Sequence, residues 1–408
     1  MFFGGVRRLC GRYGGRETEE LEVRGKISYL WRCYQEWTRN YRFMIRVHEV
    51  WDALEAKIPS ALQESYDNCG LQVGDPSAVA TGVLCCVDVT EAVIREAIER
   101  GANVIIAHHP LLFKGLKRIG TSSYIERCVR LALQHGISIY AAHTSADNAP
   151  EGLNHLMARD LGLQQVRVLE PSPNQLVELV TFVPRAHTEA VSAALWEAGA
   201  GRLGAYDSCS YRSQGEGTFR ALDGAQPFVG QVGTLHREPE DRLSVVLPAY
   251  LEGRVEEALL RSHPYETPAY SFVALQNQDR TTGSGIIGDL PEPQPLRTFL
   301  AEVESYFETR QLRYSVTKKE SVSRVALCGG AGAFLWRKAR ALGADIFITG
   351  EAKYNDYFDC EGSPVLVTVG HYESEKIASR LLAEIISAKI ANFAVYQSEL
   401  DSNPIIAL

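Results

Sequence analysis

The chain lacks any run approaching the roughly 20 apolar residues that cross a bilayer, which excludes a helical membrane protein. It lacks a basic excess as well: 42 Lys and Arg stand against 50 Asp and Glu, a net charge of −8. A nucleic-acid-binding surface rests on a basic face, so that class is disfavoured, while local sites for small anions are not. No C-x-x-C pair occurs among the nine cysteines, and Cys85, Cys86 and Cys328 lie inside apolar runs. An odd number spread over a long chain points to a reduced, cytoplasmic interior rather than a disulfide framework. There is no Walker A motif, so any phosphate must be held by other means.

What is present is ordinary for a globular protein: 45% hydrophobic and 23% charged residues over 408 positions, enough for about two or three domains. The first 43 residues stand apart, with nine basic residues against five acidic ones, net +4, which leaves −12 for the remainder. They contain no apolar stretch of the secretory kind, and the glutamates between 17 and 22 argue against a transit peptide. Residues 1–43 read as a disordered extension, or as an upstream start with Met44 the functional beginning.

From Met44 the pattern is regular. Val47, Val50, Trp51, Leu54 and Ile58 recur at helical spacing up to Pro59. Strand 82–88, helix 90–100, strand 103–107, helix 121–135 and strand 137–142 then alternate, and short apolar strands between helices predict a parallel sheet covered on both faces. The alternation returns as strand 324–328, helix 333–342, strand 345–349, strand 364–369 and helix 373–390. At an offset of 242, Val83–His109 overlays Val325–Glu351 with seven identities in 27 positions; at 228, His143 falls on His371 and Asp147 on Glu375. Two similar α/β lobes are expected, at 44–174 and 278–408, from duplication or from shared α/β patterning. Between them, 175–277 changes to strand 177–183, helix 186–198, strands near 204–212 and 216–220, strand 243–247, helix 251–262 and strand 268–275. That β-α-β-β-α-β order predicts an inserted ferredoxin-like α+β domain between linker-like segments.

Ligands of parallel sheets bind beyond the carboxyl ends of the strands. Here strand 103–107 ends in His108-His109-Pro110, strand 137–142 in His143 with Asp147 four residues on, and strand 364–369 in Gly370-His371 with Glu375 four residues on. His371 and Glu375, at i and i+4, share one helix face and can grip one ion; two adjacent histidines at a strand end suit two neighbouring ions. The mixed donor set fits Zn, Mn, Fe, Ni or Co and not a pure oxygen site for Ca. Asp88 and Glu351 overhang the same edge, where helix capping or turn formation is the ordinary role; the cysteines show no place in the site. Lys114 is a candidate phosphate contact or a solvated loop residue.

The segments Tyr66–Gly74, Ala107–Gly115, Ala142–Asn148 and Gly370–Glu375 closely resemble the NIF-three-like family, the type 2 homologues of GTP cyclohydrolase I. The resemblance covers about 44–408, including the insert of the longer bacterial members. It implies a dinuclear centre of two divalent ions per chain on His108, His109, Asp147, His371 and Glu375, with His143 a ligand or a supporting residue, in a toroidal homohexamer. The insert resembles a PII-like regulatory fold, in which His263-Pro264-Tyr265-Glu266 and the glycine-rich stretch 215–233 are either effector contacts or solvated turns.

Two classes of function follow. One is a metal-dependent hydrolase acting on a nucleotide or related molecule, for GTP by water attack at C8 of guanine with opening of the imidazole ring and release of formate. The other is a non-enzymatic metal-binding or interaction scaffold.

Overall fold

The computed structural model describes residues 44–406, so the reading of 1–43 lies outside the described residues. In chain order the strands are β1 Gly70–Val73, β2 Val83–Cys86, β3 Val104–Ala107, β4 Ser138–Ala141, β5 Gln164–Pro171, β6 Leu176–Pro184, β7 Tyr211–Arg220 and β8 Leu235–Pro248. They continue as β9 Tyr270–Ala274, β10 Gly283–Pro295, β11 Arg313–Tyr314, β12 Ser321–Cys328, β13 Ile346–Thr349, β14 Val365–Thr368 and β15 Val395–Gln397.

Two sheets form the two α/β lobes, the first mostly parallel and the second with a parallel centre flanked by antiparallel pairings, so the expectation of mainly parallel sheets holds in full only for the first. The first has the order β1-β4-β3-β2-β15, the second β11-β14-β13-β12-β10-β5. Strands β4, β3, β2 and β15 run parallel, as do β14, β13 and β12. The lobes exchange strands: β5 lies early in the chain yet pairs with β10 in the second sheet, and the C-terminal β15 pairs with β2 in the first.

Alternation along the strands divides the core. Val83, Cys85, Val104 and Ile106 of the first sheet and Val325, Leu327, Ile346 and Ile348 of the second belong to one buried cluster. That cluster also holds the apolar stripes of the helices Val47–Glu55, Leu153–Asp160, Leu296–Phe307 and Ala378–Lys389, so it joins the lobes. The intervening residues face outward onto separate cores, Leu84 and Ile105 under the helices Glu91–Glu99 and Tyr124–Gln134, and Ala326 and Phe347 under Trp336–Ala341. The helices over the first sheet begin where the hydroxyls of Thr90 and Ser123 accept from the backbone N–H of Val93 and Glu126, both at 3.2 Å.

The four-stranded sheet β7-β8-β6-β9 is antiparallel and has a core of its own, in which Leu179, Leu243 and Val245 pack on Leu195 and Leu259 of the helices Thr188–Glu197 and Glu252–Ser262. Its strand order is the ferredoxin-like one. One detail differs from the sequence reading: in place of strands near 204–212 and 216–220 there is a single strand, Tyr211–Arg220, paired along its length with β8. β8 itself reaches back to Leu235 through a charged stretch, His236 to Arg242, that has no apolar pattern to mark it. The insert leaves and rejoins the core side by side, where the Ser172 N–H donates to the Thr282 carbonyl at 3.1 Å.

Candidate metal centre

Register places the site. β3 pairs with β2 and β4 so that Ala107 stands between Cys86 and Ala141, and the next residues, Asp88, His108-His109 and His143, emerge at one edge. In the second sheet Thr349 pairs with Thr368, which sets Glu351 beside Gly370-His371. Gly370 turns the chain sharply from β14 into the short helix His371–Glu375 at φ +104°, a conformation that suits glycine. A similar five-residue helix, Thr144–Asn148, follows His143 and carries Asp147.

The two edges meet. His109 Nε2 lies 2.8 Å from Glu375 Oε2, and His371 Nε2 lies 3.1 Å from the same oxygen. The other carboxylate oxygen, Oε1, stands 3.8 Å from His108 Nε2, which is 4.0 Å from Asp147 Oδ1. Two groups of ligand-capable atoms, His108/His109/His143 and His109/His371/Glu375, each fall within 4.8 Å and share His109. The structure thus brings together all five residues of the expected set, with His143 among them.

Each imidazole is held by its far nitrogen. His108 Nδ1 donates to the Ala142 carbonyl at 3.0 Å, and the Nδ1 atoms of His109, His143 and His371 bond to Asp88 at 2.7 Å, Asp67 at 2.9 Å and Glu351 at 3.0 Å. Such contacts fix the tautomer and aim Nε2 at the centre. Asp88 and Glu351 therefore serve as orienting carboxylates; it is Thr90 that caps the following helix. Asp67 was not singled out as a site residue by sequence reasoning. It precedes β1, whose antiparallel pairing of Gly70 with Ala141 sets it beside His143, and no local pattern announces that contact. Asp67 also accepts from the Thr144 N–H at 3.0 Å, and Asp88 from the Ser402 hydroxyl at 2.8 Å. One cysteine has a supporting place after all: Cys69 Sγ accepts from the His143 N–H at 3.3 Å, while burial pushes its thiol up to about 11 and keeps it neutral. Lys114 is exposed and makes no ion pair among the described residues.

Burial alone would lower the His109 imidazole, but its bonds to Asp88 and Glu375 outweigh that and hold it up to about 10. Burial would raise Glu375, yet contacts with His108, His109 and His371 keep it well below the usual carboxylate range. Burial raises Asp147, opposed by His108. The buried His108 Nε2 and Asp147 Oδ1 have no hydrogen-bond partner. Leaving two such atoms unsatisfied costs about 1–3 kcal/mol each, which a shared cation relieves; the donor set fits a divalent transition metal.

A family profile described as Duf34/NIF3 (NGG1p interacting factor 3) matches residues 45–404. Proteins named GTP cyclohydrolase 1 type 2 homolog are similar: that of Mycobacterium tuberculosis is 38% identical over 337 residues, 81% of this chain and 88% of its own. That of Bacillus subtilis is 37% identical over 352 residues, 85% of this chain and 94% of its own. The crystal structure of a Bacillus cereus protein related to NIF3 superposes with a TM-score of 0.78 at 36% identity, covering 90% of this chain and all of that one. No helix among the described residues is long and apolar enough to cross a membrane. Sequence and fold agree over nearly the whole described chain, and the protein belongs to the DUF34/NIF3 family.

Proposed function

We propose that the chain holds two divalent ions at His108, His109, His143, Asp147, His371 and Glu375 and uses them to hydrolyse a nucleotide-like substrate. The observation that carries this reading is the pair of buried, unpartnered atoms, His108 Nε2 and Asp147 Oδ1, in the midst of oriented imidazoles. A bound ion pair supplies Lewis-acid polarisation and activates water for hydrolysis. The chain's own residues do the rest: Asp67, Asp88 and Glu351 keep the rings aimed, and Glu375 carries negative charge between three of them.

The substrate enters beside Glu351. A cavity of about 780 Å³ opens there, with Tyr314, Tyr354 and Phe358 exposed in its wall and Arg313 at its rim. Aromatic faces stack on a nucleobase at about 1–3 kcal/mol per base, and a guanidinium meets phosphate. The chain works as a homohexamer in this reading, which native mass measurement checks.

The test is a metal-replete activity screen over guanine nucleotides and pterin precursors, with elemental analysis of the same sample. Turnover that needs about two ions per chain and disappears in His108→Ala, with KM raised in Tyr354→Ala, is the expected result. Stoichiometric metal without turnover of any substrate would overturn the hydrolase and leave a metal-binding scaffold.

A further inference from the structure

Two of the carboxylates that aim the imidazoles are themselves held by their second oxygen. Asp67 Oδ2 accepts from the Thr144 N–H at 3.0 Å, and Thr144 is the chain neighbour of His143. Asp88 is held from far away in sequence. Its Oδ1 meets His109 Nδ1 at 2.7 Å, while its Oδ2 accepts from the Ser402 hydroxyl at 2.8 Å, across 314 residues of chain. No other donor reaches that oxygen among the described residues.

Register brings Ser402 there. β15 runs parallel to β2 with Gln397 beside Cys85, and the Ser398 N–H extends the ladder to the Cys85 carbonyl at 2.8 Å, so the chain continues towards the sheet edge from which Asp88 emerges. Between residues 399 and 406 only Ser402 and Asn403 are half-buried; Leu400, Ile405 and Ile406 are 41%, 64% and 87% exposed. Polar contacts therefore set the path of this segment. The Glu399 N–H donates to Glu96 at 3.2 Å, and the Glu399 carboxylate pairs with Arg100 at 2.9 Å. Asn403 Nδ2 donates at 3.1 Å to Oε1 of Glu373, which lies in the helix that carries His371 and Glu375. A ring of contacts closes: His109 to Asp88, Asp88 to Ser402, Asn403 to Glu373, and Glu375 of that helix back to His109 at 2.8 Å.

A carboxylate bonded through one oxygen still swings about its Cβ–Cγ bond, and the imidazole that it orients swings with it. A donor on the second oxygen fixes its plane, and outer contacts of this kind are worth about 10–100-fold in metal affinity. We infer that Ser402 is a positioning residue of the metal centre, fixing Asp88 and through it the ring of His109. The role rests on the two-ion reading proposed above.

Zinc affinity, from competition with a chromophoric chelator, and the visible spectrum of the cobalt(II) form test this on the full chain. Ser402→Ala is expected to weaken zinc binding about three- to tenfold and to shift the cobalt bands, with thermal unfolding of the metal-free chain unchanged. Ser402→Thr should restore both, since Ser402 lines a cavity of about 300 Å³ with room for the added methyl group. In an Asp88→Ala background Ser402→Ala should change zinc affinity less than about twofold, because the hydroxyl has lost the group through which it acts. Unaltered affinity and spectrum in Ser402→Ala, no recovery in Ser402→Thr, or fully additive effects in the double variant overturn the inference. An unsubstituted chain that takes up neither zinc nor cobalt overturns the two-ion reading and this role with it; uptake that is indifferent to Ser402 overturns this role alone.

Discussion

Exchanging Glu375 for glutamine separates the centre's charge from its packing. The carboxylate is 3% exposed and faces His108, His109 and His371 at 3.8, 2.8 and 3.1 Å, so the amide keeps the volume and removes the one charge that all three share. Removing one partner from a buried charge set costs about 3–5 kcal/mol, which at about 1.4 kcal/mol per decade is about two to four orders of magnitude in metal affinity. Asp88→Asn provides the internal comparison. Asp88 acts on one ring from behind, 2.7 Å from His109 Nδ1, and the loss of such an orienting contact costs about 10–100-fold. Competition against a chromophoric chelator gives both affinities, elemental analysis the stoichiometry, and near-ultraviolet circular dichroism confirms that each variant is folded. Metal affinity unchanged in Glu375→Gln, or hurt more by Asp88→Asn, would falsify the assignment of Glu375 as the shared anion.

Three further outcomes are expected. Gly330→Ala should lower metal affinity while the fold persists, because Gly330 sits at φ +58° and an added Cβ would lie 2.2 Å from Glu375 Oε1; metal content and thermal unfolding on one sample check it. Replacing 175–277 by a short Gly/Ser bridge should leave metal content intact, since the insert has its own core and its ends meet at Ser172 and Thr282; loss of folding and metal together would refute this. Asp345→Asn should cost about 1–2 kcal/mol at pH 7, because the carboxylate accepts from the N–H groups of Ser323 and Arg324 at 2.8 and 2.9 Å and from Lys319. Burial would raise the Asp345 carboxyl, but those bonds hold it below its ordinary value. A depressed folded-state pKa gives stability that is complete above the unfolded value of about 4 and is lost as pH falls through the folded one. The gap between wild type and variant in urea midpoint should therefore narrow from pH 7 towards pH 2, and a gap that widens would contradict it.

The sequence by itself determined the elements and the chemistry they carry. Apolar tetrads such as Val104–Ala107, Ile346–Thr349 and Val365–Thr368 can only be strands buried on both faces, and a histidine following such a strand must stand at the sheet edge. His371 and Glu375 were legible as a pair because helical periodicity is local. Tertiary structure decided what the edges face. That β15 returns to the first sheet and β5 crosses to the second depends on a core shared between the lobes, and it sets His109 against Glu375 across 266 residues of chain. The orienting roles of Asp67, Asp88 and Glu351 likewise come from strand register, which pairs residues by position and leaves no mark on their spacing. The same holds in the insert, where alternation announced the face that packs on helices, but only the pairing of β8 with β7 and β6, and of β9 with β6, gathered Glu240, Phe219 and Tyr265 around one space. Periodicity is written in neighbouring residues, whereas a site is made by residues that become neighbours only when the sheets close.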